Sequence, residues 1–396
     1  MFIIVTAGFL GVILALALVS IRFLVSDHLA KKFYKLFAAA DLAMIIVIVG
    51  GWFVRGLVPD IFISVFGNLA TIFLMSQLIC GLLVICAVVV RFFYRKFHKP
   101  EPFDPVRRRA LVHGMIYPLA SLAISLYGNR IEKNSDVQNF YDVPVKNLPP
   151  ELENFTVAQI SDIHLGAYYS LERLEALLQR VADAKPDLLA ITGDIFDDAE
   201  MNPAAIKLVD SFTDKFKFGI YYIHGNHEHF RGIHQIEQMI RQTKINMLVN
   251  RSKNVTSKLY IHGVDYPSRA PITSSNDKDV ENRFREARRS YVAGTTADVP
   301  DDAVKILLAH HPEFIDDGAE GNFVLTLTGH THGSQFGIFG VPLFPVFKYT
   351  RGLVKIGDSI GYVHSGNGSW FPFRIGCPPE IAYFTLKNLN LNKEEI

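Results

Sequence analysis

The sequence is short of cysteine and of charge. Only Cys80, Cys86 and Cys377 occur in 396 residues. They are too few and too scattered for a disulfide framework or a thiolate zinc site, and they leave the redox compartment open. Charged residues make up 20% against 49% hydrophobic, with a mean hydropathy of +0.20. That balance excludes a disordered chain and points to a part that lives in lipid. The net charge of +1 is unevenly spread. Residues 1–150 hold 15 Lys and Arg against 8 Asp and Glu, and the remainder holds 25 against 31. The mildly acidic C-terminal part is a poor match for a polyanion, so no long nucleic acid is expected as a partner. There is no internal repeat and no low-complexity segment.

What is present in quantity is the long apolar run. Residues 1–21 carry no charge and end at Arg22. A second run covers Leu36 to Val54 with Asp41 inside it, a third Ile61 to Val90, and a fourth Ala110 to Asn129 with Pro118 as a kink. About 20 apolar residues cross a bilayer core. The reading is therefore a four-helix transmembrane domain over 1–129, in contact with the lipid bilayer, with Asp41 at the headgroup boundary. Basic residues fix the expected topology. Arg22, Lys31, Lys32 and Lys35 follow the first run, and Arg91, Arg95, Lys96, Lys99, Arg107, Arg108 and Arg109 follow the third; little beyond Arg55 follows the second. Both termini, and everything after the fourth helix, are then expected outside the cytoplasm, at a cell (inner or plasma) membrane. Residues 130–150, polar and ending in Pro149-Pro150, read as a linker.

From Glu151 to Ile396 the pattern changes to that of a second domain. Short β-branched runs appear at Phe155–Ser161, Asp187–Thr192, Phe218–Ile223, Lys258–Gly263, Val304–Ala309 and Phe323–Thr328. Helical periodicity marks Ser170–Ala184, Asn202–Phe212 and His234–Lys244. Alternating strands and helices predict a layered α/β fold, whose ligands sit beyond the carboxyl ends of the strands. Polar clusters stand at those ends: Asp162-Ile163-His164, Gly193-Asp194-Ile195-Phe196-Asp197, Gly225-Asn226-His227-Glu228, His310-His311-Pro312 and Gly329-His330-Thr331-His332-Gly333. Eight of the 14 histidines fall in or beside these turns. Buried carboxylates and imidazoles need partners, and metal ions satisfy such a group together. Carboxylate with imidazole and no thiolate suits manganese, iron or zinc, and magnesium less readily. Seven candidate ligands exceed one tetrahedral zinc site and suit two divalent ions sharing a carboxylate.

These five motifs, in this order, resemble the signature of the calcineurin-like metallophosphoesterases over Phe155 to Leu386. Pro378-Pro379-Glu380-Ile381 resembles the branch with membrane-associated bacterial phosphoesterases and lipid A-pathway pyrophosphatases. Two positions depart from that branch: Glu228 stands where Asp is frequent, and Ser334 where Gly is. The resemblance implies a four-layer α/β/β/α sandwich. It implies one metal on Asp162, His164 and His332, a second on Asn226, His310 and His330, and Asp194 as the bridge. His310 is preferred to His311 because it comes first after its strand. His227 would protonate the leaving oxygen or stabilise the transition state, and Asp197 would orient His227 or another ligand. The implied activity is a metal-dependent phosphoric ester hydrolase in which hydroxide attacks phosphorus in line. Its substrate would be a small or lipid-linked phosphoester or pyrophosphate, or an envelope polymer. Alternatives are a nucleotide or UDP-diacylglucosamine-type pyrophosphatase, a cyclic-nucleotide phosphodiesterase or nuclease, and a catalytically weak metal-binding scaffold. His224 and His229 flank the third motif and read as supporting residues, and His364 as a residue bordering the pocket. Tyr168, Tyr169, Phe344, Phe347, Tyr349, Trp370, Phe371 and Phe373 are candidates for an acyl or headgroup cleft, with ordinary packing the expectation for most. The loop Phe336–Phe347, rich in Gly, Pro and Phe, is a candidate membrane contact.

Overall fold

The computed structural model describes every residue except 1, 25–26, 55–56, 98–105, 269–276, 370 and 390–396. Arg55, His98, Lys99 and Trp370 thus lie outside the described residues, as do the side chains of His28, Lys31, Arg107, Arg108, Arg109 and His113. The chain divides into two compact units, Met1–Glu132 and Lys133–Ile396.

The first unit is helical: α1 (Phe2–Leu24), α2 (Asp27–Phe53), α3 (Asp60–Phe97) and α4 (Val106–Leu126), closed by a π-helical turn at Tyr127–Ile131. Two stretches are long and apolar enough to cross a membrane, Lys32–Gly51 and Asp60–Phe97. Among the described residues α1 adds a shorter apolar stretch, Gly11–Arg22. At 1.5 Å per residue α3 is about 57 Å long, more than a bilayer core needs. The outer surface carries Leu36, Ile46, Phe66 and Val90, while Ala70, Thr71, Asn68 and Gln77 turn inward. Asp41 is not at a helix boundary. Because α2 already starts at Asp27, Asp41 falls in the middle of the helix. It is fully buried against α3, where Gln77 Nε2 donates to its Oδ1 at 2.5 Å.

The second unit holds two six-stranded sheets. The first takes β1 (Val137–Val145), β2 (Thr156–Ile160), β3 (Leu188–Ile191), β4 (Ile220–Tyr222), β5 (Asn246–Met247) and β14 (Glu380–Asn388), in the order β1-β14-β2-β3-β4-β5. The second takes β6 (Arg251–Thr256), β7 (Leu259–Gly263), β8 (Val304–Leu308), β9 (Leu325–Thr328), β12 (Gly352–Ile356) and β13 (Ser359–Val363), in the order β12-β13-β9-β8-β7-β6. A separate two-stranded hairpin pairs β10 (Gly337–Ile338) with β11 (Val341–Pro342). The helices are α5 (Leu171–Asp183), α6 (Asn202–Ser211), α7 (Asn226–Phe230), α8 (Ile233–Ile240), α9 (Asp277–Thr296) and α10 (Phe314–Glu320).

The period of two in a strand explains the layering. In β3, Leu189 and Ile191 pack on Leu174, Leu178 and Val209 of α5 and α6, while Leu188 and Ala190 join a core with Ile261, Ile306 and Leu308 of the other sheet. Leu307 and Ala309 then meet Val292 and Phe314 of α9 and α10. Strands buried on both faces read as continuous apolar runs, and all six expected strands are present. The expected linker 130–150 instead contains β1, with short helical turns on either side of it. β1 pairs in parallel with β14 from Val137↔Glu380 to Val145↔Asn388. Its partner stands more than 200 residues away, so nothing local marks it as a strand.

Candidate metal centre

The candidate ligands gather where β2, β3, β4, β8 and β9 end. Several occupy backbone conformations that L-residues rarely adopt: φ is 52° at Asp162, 51° at His164, 54° at Asp194, 74° at His330 and 53° at His332. Five such residues around one point are held there by the surrounding structure, a pattern associated with functional sites. Gly225 shows how tightly the turns meet, since a Cβ there would stand 2.1 Å from Asp194 Oδ1.

Two groups of ligand atoms converge, Asp162-His164-His332 and Asp194-His310-His330; a third, His164-Asp194-His227, connects them. His164 Nε2 lies 3.0 Å from His332 Nε2 and 3.7 Å from Asp194 Oδ2. His332 Nε2 is 3.5 Å from Asp162 Oδ1. His310 Nε2 is 3.2 Å from Asp194 Oδ2 and 3.3 Å from His330 Nδ1. Separations of this size are edges of a coordination polyhedron with bonds of about 2.1 Å. His310 Nδ1 points at the Thr192 carbonyl, 2.7 Å away. The proton of a neutral His310 therefore sits on Nδ1, and its bare Nε2 faces another ring nitrogen and a carboxylate. Asn226 Oδ1 is buried without a hydrogen-bond partner. A shared proton satisfies one such acceptor; a cation satisfies all of them, so the donor set fits divalent metal ions. His311 is also buried, but its Nδ1 accepts from Glu313 N and it belongs to neither ligand group.

Charge follows the same plan. Burial opposes ionisation of Asp194, yet His310, His164 and His227 hold its carboxyl well below the ordinary range. Burial likewise opposes a charged His310, but Asp194 and Asp162 push it up to about 10. His330 is pushed down to about 3 by burial and by His310. With no cation bound, the site takes up a proton near its centre, so metal and proton compete.

Asp197 ties the centre to its neighbours. Its Oδ2 is 3.2 Å from His164 Nδ1 and 3.0 Å from His227 Nδ1, and Arg231 Nε donates to its Oδ1 at 2.8 Å. It thus orients a candidate ligand and His227 together. Carboxylate–histidine–metal chains of this kind fix tautomer and ring direction. Against burial, Asp197, Asp194 and Glu228 raise the pKa of His227, which favours its protonated form.

Three groups escaped the motif reading. Glu228, seen in the sequence as a departure, is fully buried and accepts from four backbone amides: Asp194 N at 3.0 Å, Ile195 N at 2.8 Å, Phe196 N at 3.1 Å and Gly225 N at 2.7 Å. It fastens the Asp194 loop to the Asn226 turn. Asp265 Oδ1 lies 3.0 Å from His224 Nδ1 and 2.9 Å from His229 Nε2, so it draws together the two histidines that flank the third motif, and the three form a further group of ligand atoms. Asp265-Tyr266 follows β7 after one intervening residue; a sixth polar strand end was the signal. Arg374, fully buried, donates to Ser365 O at 2.7 Å and Cys377 O at 3.0 Å, and its Nη2 is 3.3 Å from His332 Nδ1. Nothing in its local sequence indicates this. His364 does not border a pocket: it is fully buried, and its Nδ1 accepts from Gly366 N. Tyr169 and Phe373 are core residues, whereas Phe347 lies 5.1 Å from the ring of His330. A cleft of about 920 Å³ is lined by paired charges such as Arg289 and Glu320 and holds none of the candidate ligands.

A family model described as calcineurin-like phosphoesterase matches residues 155–334, the span that carries all five motifs. An uncharacterized metallophosphoesterase of Bacillus subtilis, YkuE, is 30% identical over 296 residues, which is 72% of this chain and 98% of that protein. One from Campylobacter jejuni is 28% identical over 287 residues, 70% of this chain and 71% of that protein. A zebrafish (Danio rerio) transmembrane protein with metallophosphoesterase domain is 26% identical, covering 62% of this chain and 56% of its own length. With its ligand-bearing turns assembled at one sheet end and a relative matched over nearly its whole length, this chain belongs to the calcineurin-like metallophosphoesterase family and is a metal-dependent phosphoesterase.

Proposed function

We propose that the chain is a membrane-anchored phosphoesterase that cleaves a phosphoester or pyrophosphate, lipid-linked or otherwise amphiphilic, at a two-cation site. The observation that carries the reading is the convergence of bare ring nitrogens and carboxylate oxygens in a chain that also has two helices apolar enough to span a bilayer. The relative named as a transmembrane protein with this domain supports the combination. The helical unit would cross the bilayer several times. The cluster of Arg91, Arg95 and Lys96 at the end of α3 supports a cytoplasmic end there and an extracytoplasmic catalytic unit.

Asp162, His164 and His332 would hold one cation, and Asn226, His310 and His330 the other, with Asp194 between them. Manganese, iron or zinc suits these donors, magnesium less readily. Bound there, the pair supplies Lewis acidity and a hydroxide nucleophile near neutral pH. The chain does the rest. Asp197 Oδ2 pairs with His164 Nδ1 and lies 3.0 Å from His227 Nδ1, which would leave both Nε2 atoms for the site. His227 then offers a proton to the departing oxygen. Glu228 keeps the Asp194 loop and the Asn226 turn in register.

The test uses full-length protein of known metal content, screened against lipid phosphates, nucleotide-sugar pyrophosphates, nucleotides and bis-p-nitrophenyl phosphate. Preference for amphiphilic phosphates is the expected result. Preference for free nucleotides would replace the lipid reading with the pyrophosphatase one. Full metal content without hydrolysis of any ester would leave a binding scaffold.

A further inference from the structure

Residues 333–347 contain no charged side chain. Within them β10 and β11 form a tight hairpin whose two turn residues, Phe339 and Gly340, have φ of 51° and 82°. Positive φ at both positions is the twist-matched hairpin turn, which favours Asn and Gly. A phenylalanine in that conformation is held at some cost, and its ring is 100% exposed. Val341, Val346, Ile338, Phe344 and Leu343 around it are between 48% and 82% exposed. This concentration of uncovered apolar side chains contrasts with the rest of the catalytic unit, whose large hydrophobics are mostly buried.

The hairpin is firmly based. Gly337 N donates to Ile375 O at 2.7 Å, Leu343 N to Phe336 O at 2.9 Å, and Arg351 Nη1 to Gly340 O at 3.0 Å. The same segment ends at Phe347, whose ring lies 5.1 Å from that of His330 and 5.7 Å from that of His311. One short stretch therefore joins the wall of the metal site to an apolar tip, and a guanidinium stands at the tip's backbone.

We propose that the β10–β11 hairpin, with Leu343–Val346 behind it, is an interfacial anchor that dips into a bilayer with anionic headgroups and presents the metal site to phosphates at that surface. The inference rests on the reading of a membrane-linked substrate. A lipid surface suits the patch better than a protein does. The tip is convex and carries about six side chains, well short of a stable protein interface. Its profile, apolar end and cationic shoulder, is that of elements that sit at the headgroup boundary. The apolar spans of the same chain would keep it beside such a surface.

The experiment places a nitroxide at Ile338→Cys in full-length protein whose native cysteines are replaced by alanine, reconstituted in phosphatidylcholine vesicles with a minority of phosphatidylglycerol. The expected spectrum shows strong collision with oxygen and weak collision with an aqueous nickel chelate. Strong nickel collision overturns the proposal. So does weak collision with both probes, which means cover by protein, and so does spin–spin broadening, which means a contact between copies. A second arm compares wild type with the Phe339→Ser/Phe344→Ser double variant on hexadecyl p-nitrophenyl phosphate in vesicles and on soluble bis-p-nitrophenyl phosphate. The ratio of the two rates is expected to fall about tenfold in the variant; an unchanged ratio overturns the proposal. The label reads depth whatever the substrate. A lipid-immersed label in an enzyme that ignores the vesicle-borne ester would sink the lipid-substrate reading and leave the anchor standing.

Discussion

The two units bury polar groups for opposite reasons. In the helical unit Asp41, Gln77, Thr71 and Ser125 are inside while Leu36, Ile46 and Phe66 face outward. That is the distribution expected where the surrounding solvent is lipid, since a polar side chain then finds partners only on neighbouring helices. In the catalytic unit most large apolar residues are inside, and one group of buried carboxylates and imidazoles gathers at a set of strand ends, where its members face one another. In the first pattern Gln77 Nε2 donates to Asp41 Oδ1, while Thr71 Oγ1 and Ser125 Oγ have no hydrogen-bond partner among the described residues; in the second, several carboxylate and imidazole ligand atoms converge on one another, as a cation site requires. A buried polar residue is therefore informative only together with what surrounds it.

The sharpest way to break this contrast is Asp194→Asn. If Asp194 is the shared ligand, turnover on any phosphoester should fall by about 10³-fold or more, with bound metal reduced and circular dichroism unchanged. Retained turnover would mean that the strand-end cluster is a packed polar core. His227→Ala should cost about 10²-fold on alkyl phosphoesters and less on p-nitrophenyl esters, whose leaving group needs no proton. Equal losses on both would make His227 a structural residue. Glu228→Ala strands four buried amides and should lower stability by about 3 kcal/mol, read by denaturant unfolding of the detergent-purified chain. Glu228→Gln, which keeps an acceptor, should recover part of that.

A smaller effect concerns pH. Asp194 and Asp162 raise His310 from an ordinary 6.5 to about 10 when no metal is bound. A raised value means that the pairing stabilises the fold fully below about pH 6.5 and is lost as pH rises toward 10. In chelator, the stability difference between wild type and His310→Gln should therefore be largest below pH 6.5 and shrink through pH 10. A difference that grows with pH would contradict the pairing. The least effect is expected from Asp41→Asn, which keeps the hydrogen bond to Gln77. Turnover on a soluble ester should stay within about twofold, because the hydrogen-bond partner of Asp41, Gln77, belongs to the same helical unit and shares no partner with the candidate ligands. A large loss would show that the units are coupled and that Asp41 is more than a packing residue.

The strand ends were legible because each motif is local. Asp162 and His164, or His330 and His332, stand two apart on a single turn, and short runs such as Leu188–Ile191 announce the strand before them. The surroundings of those turns were not legible. β1 and β14 pair across more than 200 residues of sequence, Arg374 reaches the His332 turn from a loop with no motif of its own, and Asp265 joins two histidines that flank the turn after β4. Asp41 reads as near the start of its apolar run because hydropathy marks where charge stops, whereas the helix begins nine residues before that run.

Composition and spacing alone determined that this protein has an apolar helical part and an α/β part with carboxylates and imidazoles at its strand ends. Both follow from short-range rules: side-chain period, run length and the chemistry of neighbouring residues. The tertiary structure alone decided which ring nitrogens face one another and the carboxylates, that Glu228 fastens the loops, and that Phe339 stands uncovered while Phe347 packs beside His330. Those outcomes depend on distances between residues far apart in the chain, and a linear sequence does not contain such distances.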